Sequence, residues 1–383
     1  MPMELIMRPI DNTADTTVYV ALELSRAIWL VAVRLPGVEK LVFHRLEAGD
    51  TARLLGFVAA HCTRTEASLG ASVAVASCFE AGPDGFWLHR LLVANGIDNV
   101  IVEPTSILIS RRSRRAKTDR LDAQGLLRVL MARHRGDHQI CSVLRVPTPE
   151  EEDAKRPHRE RERLVQERVR IENRIEALLL TQGIRKRPSL RYWDAGMDAL
   201  RTADGRAMPP LLRAEIDRLK RRLTLTMELI REIEGERSTM LATPPSDDAS
   251  CKVAALSRIR GVGDTFAAVL TREVFYRHFD NRRQLASYVG IAPIPHQSGA
   301  MDRDHGIGRA GNARARTTLI QLAWLWLRYQ PDSGLAAWFR ERVGALAGRS
   351  RRIAIVAMAR KLLVTLWRYV ETGVLPAGMK LKA

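Results

Sequence analysis

The sequence predicts an α/β domain at the N-terminus, a charged helical arm in the middle and a mainly helical domain at the C-terminus. Three observations predict this order. β-rich runs open the chain and then alternate with helical patterns, a highly charged stretch follows Pro149, and apolar helical patterns return after about residue 251. A chain of 383 residues is too long for one typical domain. We place the domains at residues 1–148, 149–243 and 244–383.

The first domain opens with three β-rich runs, "TTVYVALELS", "IWLVAVRL" and "KLVFHRL", whose close spacing predicts a meander of three strands. A helical pattern, "TARLLGFVAAHC", then precedes a buried strand, "ASVAVASCFEAG". A helix that ends at Gly96 and the strand "NVIVEP" follow. This alternation predicts a mixed sheet. The helix "TDRLDAQGLLRVLMARH", with Thr118 as its N-cap, closes the domain.

The middle of the chain contains two narrow apolar seams at heptad-like spacing within highly charged sequence. The first seam consists of Leu164, Ile171, Ile175 and Leu178, and the second of Leu212, Ile216, Leu219, Leu223, Ile230 and Ile233. Seams of similar length predict an antiparallel helical hairpin or an intermolecular coiled coil. The coiled coil would make the protein a dimer or a tetramer. The alternative is a charged helical arm that packs on its own chain.

The C-terminal domain contains a stretch typical of a helix-hairpin-helix, "LSRIRGVGDTFAAVLTREV". Gly261 and Gly263 would permit a tight turn whose backbone N–H groups face a phosphate, and the following helix N-terminus would add a favourable dipole. Such a motif binds the nucleic-acid backbone without reading its sequence. The alternative is an ordinary connector between two helices.

The net charge of +18 and the pI of about 10.5 indicate a polyanionic partner. Nucleic acid is the first candidate and an anionic membrane surface is the second. No run reaches the ~18 apolar residues of a spanning helix, and no signal-peptide pattern opens the chain. The four cysteines lie far apart without a CxxC pair, which argues against structural zinc and a disulfide framework. These features predict a cytoplasmic protein that binds nucleic acid and does not enter a membrane.

The densest cationic run lies in "RRSRRAKTDRLDAQGLL", just before two aspartates. We expect this run to contact the phosphate backbone of RNA or DNA; its members are Arg111, Arg112, Arg114, Arg115 and Lys117. The alternative is a solvated face.

Four carboxylates are candidates for a metal site. Glu23 lies in the first predicted strand and Glu80 ends a later one, where a carboxylate is costly unless it is paired, protonated or bound to metal. Asp119 and Asp122 share one helix face because they are three residues apart. Four converging carboxylates could hold two Mg²⁺ ions and promote in-line attack at a phosphodiester. Alternatively, both aspartates merely favour the helix N-terminus and offset the arginines.

A glycine-rich, basic interval carries a candidate nucleophile, Ser298, in a predicted loop before Gly299. A serine hydroxyl needs activation, and His296 and His305 are candidate proton carriers. Arginines nearby could stabilise phosphoryl charge, and those singled out are Arg303, Arg309 and Arg314. From the residues alone, a simple turn is the commoner meaning of a Ser-Gly pair.

Taken together, several stretches resemble the transposases of the insertion-sequence 110 family. They include "CFEAGPDGFWLHRLL", "RRAKTDRLDAQGLL", "YVGIAPIPHQSG" and "GIGRAGNARARTTLIQLAWLWLRYQP", and the similarity spans roughly residues 15–375. The resemblance implies a RuvC-like N-terminal domain of RNase H type. Its four-carboxylate DEDD site would bind Mg²⁺, with Mn²⁺ as an alternative. Position by position, that site is Glu23, Glu80, Asp119 and Asp122.

The same resemblance implies that Ser298 attacks DNA and forms a covalent 5′-phosphoserine link. A structured guide RNA from the element, the bridge RNA, would pair with donor and target DNA, and composite sites would form across subunits. One departure concerns the first strand, which reads "ALELS" with Glu23 where the family's pattern is close to "GIDVS". Two alternatives stay open, a metal-dependent junction nuclease that never uses the serine and a non-catalytic nucleic-acid-binding scaffold.

Overall fold

A five-stranded mixed sheet forms the centre of the N-terminal part of the chain. In the computed structural model the strand order is β3-β2-β1-β4-β5. Strands β1, β2 and β3 pair antiparallel, whereas β1 with β4 and β4 with β5 pair parallel. The strands are β1 (Thr17–Leu24), β2 (Ile28–Arg34), β3 (Val42–Glu47), β4 (Ala74–Glu80) and β5 (Asp98–Val102). The predicted mixed sheet is therefore confirmed.

Helices cover both faces of this sheet because the apolar residues of its central strands alternate. Val18, Val20 and Leu22 of β1 join one core cluster, and Tyr19 and Ala21 join another. The first cluster packs under helices α1 (Thr51–Leu69) and α2 (Trp87–Ala94), and the second under α3 (Asp119–His134). Helix α3 begins as predicted, with the Thr118 hydroxyl accepting a hydrogen bond from the Leu121 N–H at 3.3 Å.

The chain divides into two units between Thr148 and Pro149. The structure describes residues 16–82, 84–107, 118–298, 301–308, 310–344 and 348–382, and only the backbone at residues 105, 295–298 and 301–305. The further division of the second unit at residue 243 stays a prediction. No helix in the described ranges is long and apolar enough to cross a membrane.

Two long helices open the second unit and pack on one another. The helices here are α4 (Pro149–Asp153), α5 (Arg156–Leu180), α6 (Trp193–Ala199) and α7 (Pro210–Ala242). Ion pairs of Arg161 with Glu234 at 2.6 Å and of Arg174 with Glu215 at 3.0 Å show that α5 and α7 run antiparallel. Residues from both predicted seams share one buried cluster, including Ile171, Ile175, Ile216 and Leu223. The seams thus face each other within one chain.

In the described ranges after residue 243, the regular secondary structure is helical apart from one hairpin. Its helices are α8 (Asp248–Ser257), α9 (Asp264–Leu270), α10 (Arg282–Val289), α11 (Ala313–Tyr329), α12 (Gly334–Val343) and α13 (Gly348–Thr372). One π-helical turn, Thr271–Phe275, continues α9. The hairpin consists of β6 (Pro293–Ser298) and β7 (Met301–Ile307), where the sequence predicted a loop. Two prolines in β6 argue against a strand in the sequence. Both strands of a two-stranded sheet are edge strands, however, and edge strands tolerate proline.

Candidate catalytic residues

Glu23 and Glu80 lie side by side at the carboxyl ends of two parallel strands. The last paired residues of β1 and β4 in the parallel register are Leu22 and Phe79, so the next step along both strands brings Glu23 beside Glu80. Side chains alternate between the faces of a strand. Because Ala21 and Cys78, two residues earlier, pack in the core under α3, both carboxylates belong to that face.

Helix α3 begins towards the same end of the sheet. The Tyr19 hydroxyl lies 2.9 Å from His134 Nδ1 at the helix C-terminus, and the Cys78 thiol donates to the Leu126 carbonyl at 3.6 Å. From Cys78, two strand residues lead to Glu80 over about 6.6 Å. From Leu126, four helix residues lead back to Asp122 over about 6 Å. Asp122 therefore lies near the level of Glu80, and the exposed Asp119 begins the helix one turn further on.

The fold thus places Glu23 and Glu80 together at one end of one sheet face, and helix α3, with Asp122 and Asp119, begins towards that end. This all-oxygen donor set suits a hard divalent cation such as Mg²⁺. Within the described ranges, no three His, Cys, Asp or Glu side chains form a group that could hold a metal ion. The metal site stays a prediction that the placement of the carboxylates supports.

In the sequence, the predicted cationic run lies between β5 and α3. Val102, the last residue of β5, pairs with Glu80, and Thr118 caps α3. The run itself, from Arg111 to Lys117, lies outside the described residues, as does Arg309. The end of β5 and the start of α3, which flank the run in sequence, therefore lie at the end of the sheet that carries Glu23 and Glu80.

Ser298 is the last residue of β6, and its backbone pairs with Met301 of β7. Only two residues, 299 and 300, join the strands, so the candidate nucleophile stands next to the tip of a hairpin rather than within a long loop. The side chains of Ser298, His296, Arg303 and His305 lie outside the described part of the structure.

The base of the hairpin is closely packed against α10. Pro293 pairs with Ile307, and the Gly308 N–H donates to the Ala292 carbonyl at 2.9 Å. Gly290 caps α10 with a φ of 71°, and a Cβ at this position would overlap the Ala310 carbonyl oxygen. This contact requires glycine, and it fixes the point from which the hairpin leaves the helical core.

A buried carboxylate that the sequence did not reveal, Glu273, links α5 to the start of α11, the helix that follows the hairpin. It lies in the π-helical turn, and its side chain is only 2% exposed. His158 Nε2 lies 2.9 Å from Glu273 Oε1, and Arg159 donates to both carboxylate oxygens at 2.7 and 3.0 Å. From the start of α11, Asn312 Nδ2 donates at 3.1 Å and Arg314 Nη1 at 3.3 Å.

Burial alone would raise the pKa of Glu273, but hydrogen bonds from His158 and Arg159 and the charge of Arg159 hold that pKa well below its usual range. The carboxylate therefore stays ionised inside the protein. It joins α5, the π-helical turn and the N-terminus of α11, which follows the hairpin. Arg314, predicted to bind nucleic acid, also pairs with Glu162, so two carboxylates offset its charge. The signal that could have identified Glu273 is a single acid within the apolar "VLTREVF".

The glycine turn between α8 and α9 is present, and its contacts are mostly internal. Gly261 has a φ of 89°, and a Cβ there would come within 2.7 Å of the Tyr329 side chain. The backbone N–H of Arg260 donates to the Lys380 carbonyl at 3.0 Å, and that of Val262 to the Ile259 carbonyl at 3.0 Å. Gly263 is the N-cap residue of α9. A phosphate contact at this turn stays a prediction, since packing alone explains Gly261.

Comparison with known families matches both parts of the chain. Residues 253–336 match the model described as Transposase IS116/IS110/IS902 family, and residues 40–183 match a DEDD model of IS110 elements described as Transposase.

Individual relatives agree with these matches. The chain is 47% identical over 374 residues to a Sinorhizobium fredii protein named "Putative transposase y4rJ". The aligned region covers 95% of this chain and 94% of the relative. It is 29% identical to the transposase for insertion sequence element IS1328 of Yersinia enterocolitica, over 61% of this chain and 70% of the relative. It is 25% identical to the transposase for insertion sequence element IS1111A of Coxiella burnetii, over 73% of each chain.

Proposed function

The chain belongs to the IS116/IS110/IS902 family of transposases, enzymes that cut and rejoin DNA, and we propose that it does so through a covalent link between Ser298 and a DNA 5′-phosphate. The observation that carries most weight is the placement of Glu23 beside Glu80, at the end of the sheet where α3 begins. A separate hairpin presents Ser298 beside its tip. Acidic site and serine are the two parts that such a reaction requires.

In the proposed step, Ser298 Oγ attacks the scissile phosphorus. The Oγ–P bond forms, the P–O3′ bond breaks, and the released 3′ oxygen takes up a proton while the serine hydroxyl gives one to a base. The number of phosphoester bonds is unchanged, so a 3′-hydroxyl of another strand can reverse the step without ATP. Arg303 and Arg309, close to Ser298 in sequence, would stabilise the charge on the transferring phosphate.

The acidic site would consist of Glu23, Glu80, Asp119 and Asp122 in a RuvC-like domain of RNase H type. These residues would hold Mg²⁺, or Mn²⁺ in its place, and the cation would supply charge neutralisation at the phosphate. The strand order and the helices on both faces are compatible with this domain type. Glu23 is one methylene longer than the family's usual aspartate, and glutamate is an ordinary Mg²⁺ ligand.

The proposed partners are donor DNA, target DNA and a structured RNA from the same element that pairs with both. A net charge of +18 supports polyanionic partners. Assembly into a dimer or a tetramer through the arm formed by α5 and α7 would let the acidic domain of one protomer meet the serine domain of another. We place the reaction in the cytoplasm.

Removing one carboxylate tests the acidic site. Asp122→Asn should bind the element's RNA as well as wild type does but lose joining of donor and target DNA in Mg²⁺, because a neutral amide is a poorer ligand for a hard cation. Asp98→Asn is the matched control, since this exposed aspartate starts β5 at the opposite end of the sheet. The measurements are RNA affinity and joined product across a Mg²⁺ titration. Full joining by Asp122→Asn would refute the proposed site.

The same reaction separates the alternatives. Free nicked ends without a protein–DNA adduct would favour the junction nuclease. Binding without any cleavage would favour the scaffold.

A further inference from the structure

A large groove lies between the base of the hairpin and α13. Its volume is about 970 Å³. Pro293, Gly306 and Ile307 form part of the hairpin wall, and the N-terminal half of α13 forms the opposite wall. The groove lies entirely within the second unit, so its two walls belong to one packed body.

The α13 wall is strongly basic. Arg349, Arg352 and Arg360 line the groove and fall on one side of the helix, since their spacing is i, i+3 and i+11. The other side of α13 is buried, with Ile355, Leu362 and Leu366 in the core. The helix therefore separates its residues into an apolar face towards the core and an arginine face towards the groove.

These arginines carry uncompensated charge. Residues 342–370 contain seven Arg and Lys and no Asp or Glu. In the described part of the chain, none of the three groove guanidinium groups forms an ion pair or a hydrogen bond with a protein group. By contrast, Arg159 and Arg314 of the same unit are paired with carboxylates. Unpaired arginines on one wall of a groove suit phosphate oxygens, which accept from guanidinium groups in two-pronged fashion.

We propose that this groove binds the phosphates of the DNA strand that Ser298 attacks. Arg349 and Arg360 are separated by about 16 Å along the helix axis, a length that corresponds to about five base steps of B-DNA. Along β6, Pro293 at the groove and Ser298 near the tip are about 17 Å apart. The arginines thus hold the strand on one side of the scissile phosphate while the hairpin carries the serine to it.

An exposed apolar residue completes the groove. Ile353 is 60% exposed and lies among the three arginines. An isoleucine in this position suits contact with a sugar or a base face, and the arginines take the phosphates. DNA is favoured over RNA here because the hairpin wall is the element that carries the proposed DNA nucleophile, and on this point the proposal rests on the proposed function.

A binding experiment tests the groove without requiring chemistry. The complex of the protein with its element's RNA is titrated with a labelled DNA duplex that spans one end of the element, at several salt concentrations. Arg352→Ala with Arg360→Ala should lower the slope of log affinity against log salt by about 1.8, since each lost contact with a phosphate of duplex DNA removes about 0.9. Arg342→Ala with Arg368→Ala removes the same charge from exposed positions outside the groove and should leave the slope near that of wild type.

Two further measurements test whether the change in slope has a cause other than lost phosphate contacts. Arg352→Lys with Arg360→Lys should restore most of the slope, and all variants should melt near the wild-type temperature, because the described structure gives these side chains neither ion pairs nor hydrogen bonds. At saturating DNA, the alanine pair should still form the covalent adduct, whereas Ser298→Ala should not. Adduct formation by Ser298→Ala would therefore overturn the proposed function alone.

Two other results would show that the groove does not bind this DNA strand. Equal slopes for the groove and control pairs would overturn the proposal. A slope change seen only when RNA-free protein is titrated with the element's RNA, and not with DNA, would also overturn it, since the groove would then bind the guide.

Discussion

At the scale of single residues, one buried charge, Glu273, joins two helices of the second unit, and one of these helices follows the hairpin that carries Ser298. Its partners His158 and Arg159 lie on α5, and Asn312 and Arg314 lie at the start of α11. Two separate segments thus converge on this carboxylate, and the hairpin with Ser298 ends just before the second of them. We therefore expect Glu273 to set the hairpin's position through α11 rather than to contact DNA.

Glu273→Gln should lower the free energy of unfolding by about 1.5–3 kcal/mol at pH 7, because a neutral amide replaces the buried carboxylate that accepts hydrogen bonds from the partly exposed Arg159. The matched control is Glu162→Gln, which removes another partner of Arg314 at a side chain that is 40% exposed and should cost under about 1 kcal/mol. Urea unfolding measures both. Equal losses for the two variants would contradict a special role for Glu273.

The same pair of variants predicts a pH dependence. The folded-state pKa of Glu273 is depressed, so its stabilisation is present above the ordinary glutamate pKa of 4.5 and is lost as pH falls below that value. The difference between wild type and Glu273→Gln should therefore narrow from pH 7 towards about pH 3. If the difference in unfolding free energy does not change with pH, the glutamine variant is destabilised by altered packing and not by the loss of charge.

Some of these residues are predictable from the sequence and others are not, for a physical reason. Glu23 and Glu80 are conspicuous because each interrupts or ends an apolar strand. Their adjacency is not visible in the sequence, since it depends on the register between two parallel strands that lie 57 positions apart. Glu273 had the same local signal, but its partners lie 39 to 115 residues away. Only the tertiary structure brings them together.

At the scale of elements, the strands and helices of the first unit are predictable from the periodicity of their apolar residues. The packing partner of the arm's apolar seams is not predictable in this way. An apolar stripe at heptad-like spacing can pack on a second helix of its own chain or on another chain. In the structure Leu223 is fully buried against the first seam, so the seam is already used within the chain. Any assembly of protomers through the arm must therefore use other apolar residues.

Leu225 and Leu229 of α7 are the residues that we expect to serve this role. They are 56% and 38% exposed, and their i,i+4 spacing places them on one face. Leu225→Lys with Leu229→Lys should reduce the oligomer to a 43.0 kDa monomer without changing the melting temperature. Leu223→Lys, in contrast, should destabilise the second unit because it buries a charge. Light scattering and thermal melts measure the two effects, and a wild type that is monomeric with and without RNA would exclude assembly through the arm.

At the scale of the whole molecule, the chain divides into two units, and each unit carries one of the two proposed sites. The first unit gathers carboxylates at one end of its sheet, and the second presents a serine hairpin beside an arginine groove. The excess of positive charge is predictable from composition. The distribution of that charge is not, because most arginines of α5 and α7 form ion pairs while those of the groove do not.

We expect Ser298 to become covalently joined to DNA, and a denaturing gel detects such a link. Protein, the element's RNA, labelled DNA and Mg²⁺ are incubated and then denatured, so that only covalent complexes keep label on the protein. Ser287→Ala, which alters an exposed serine on α10, is the matched control. We predict a labelled protein band for wild type and Ser287→Ala and none for Ser298→Ala, although all three bind RNA and DNA. A labelled band or joined strands from Ser298→Ala would contradict the account.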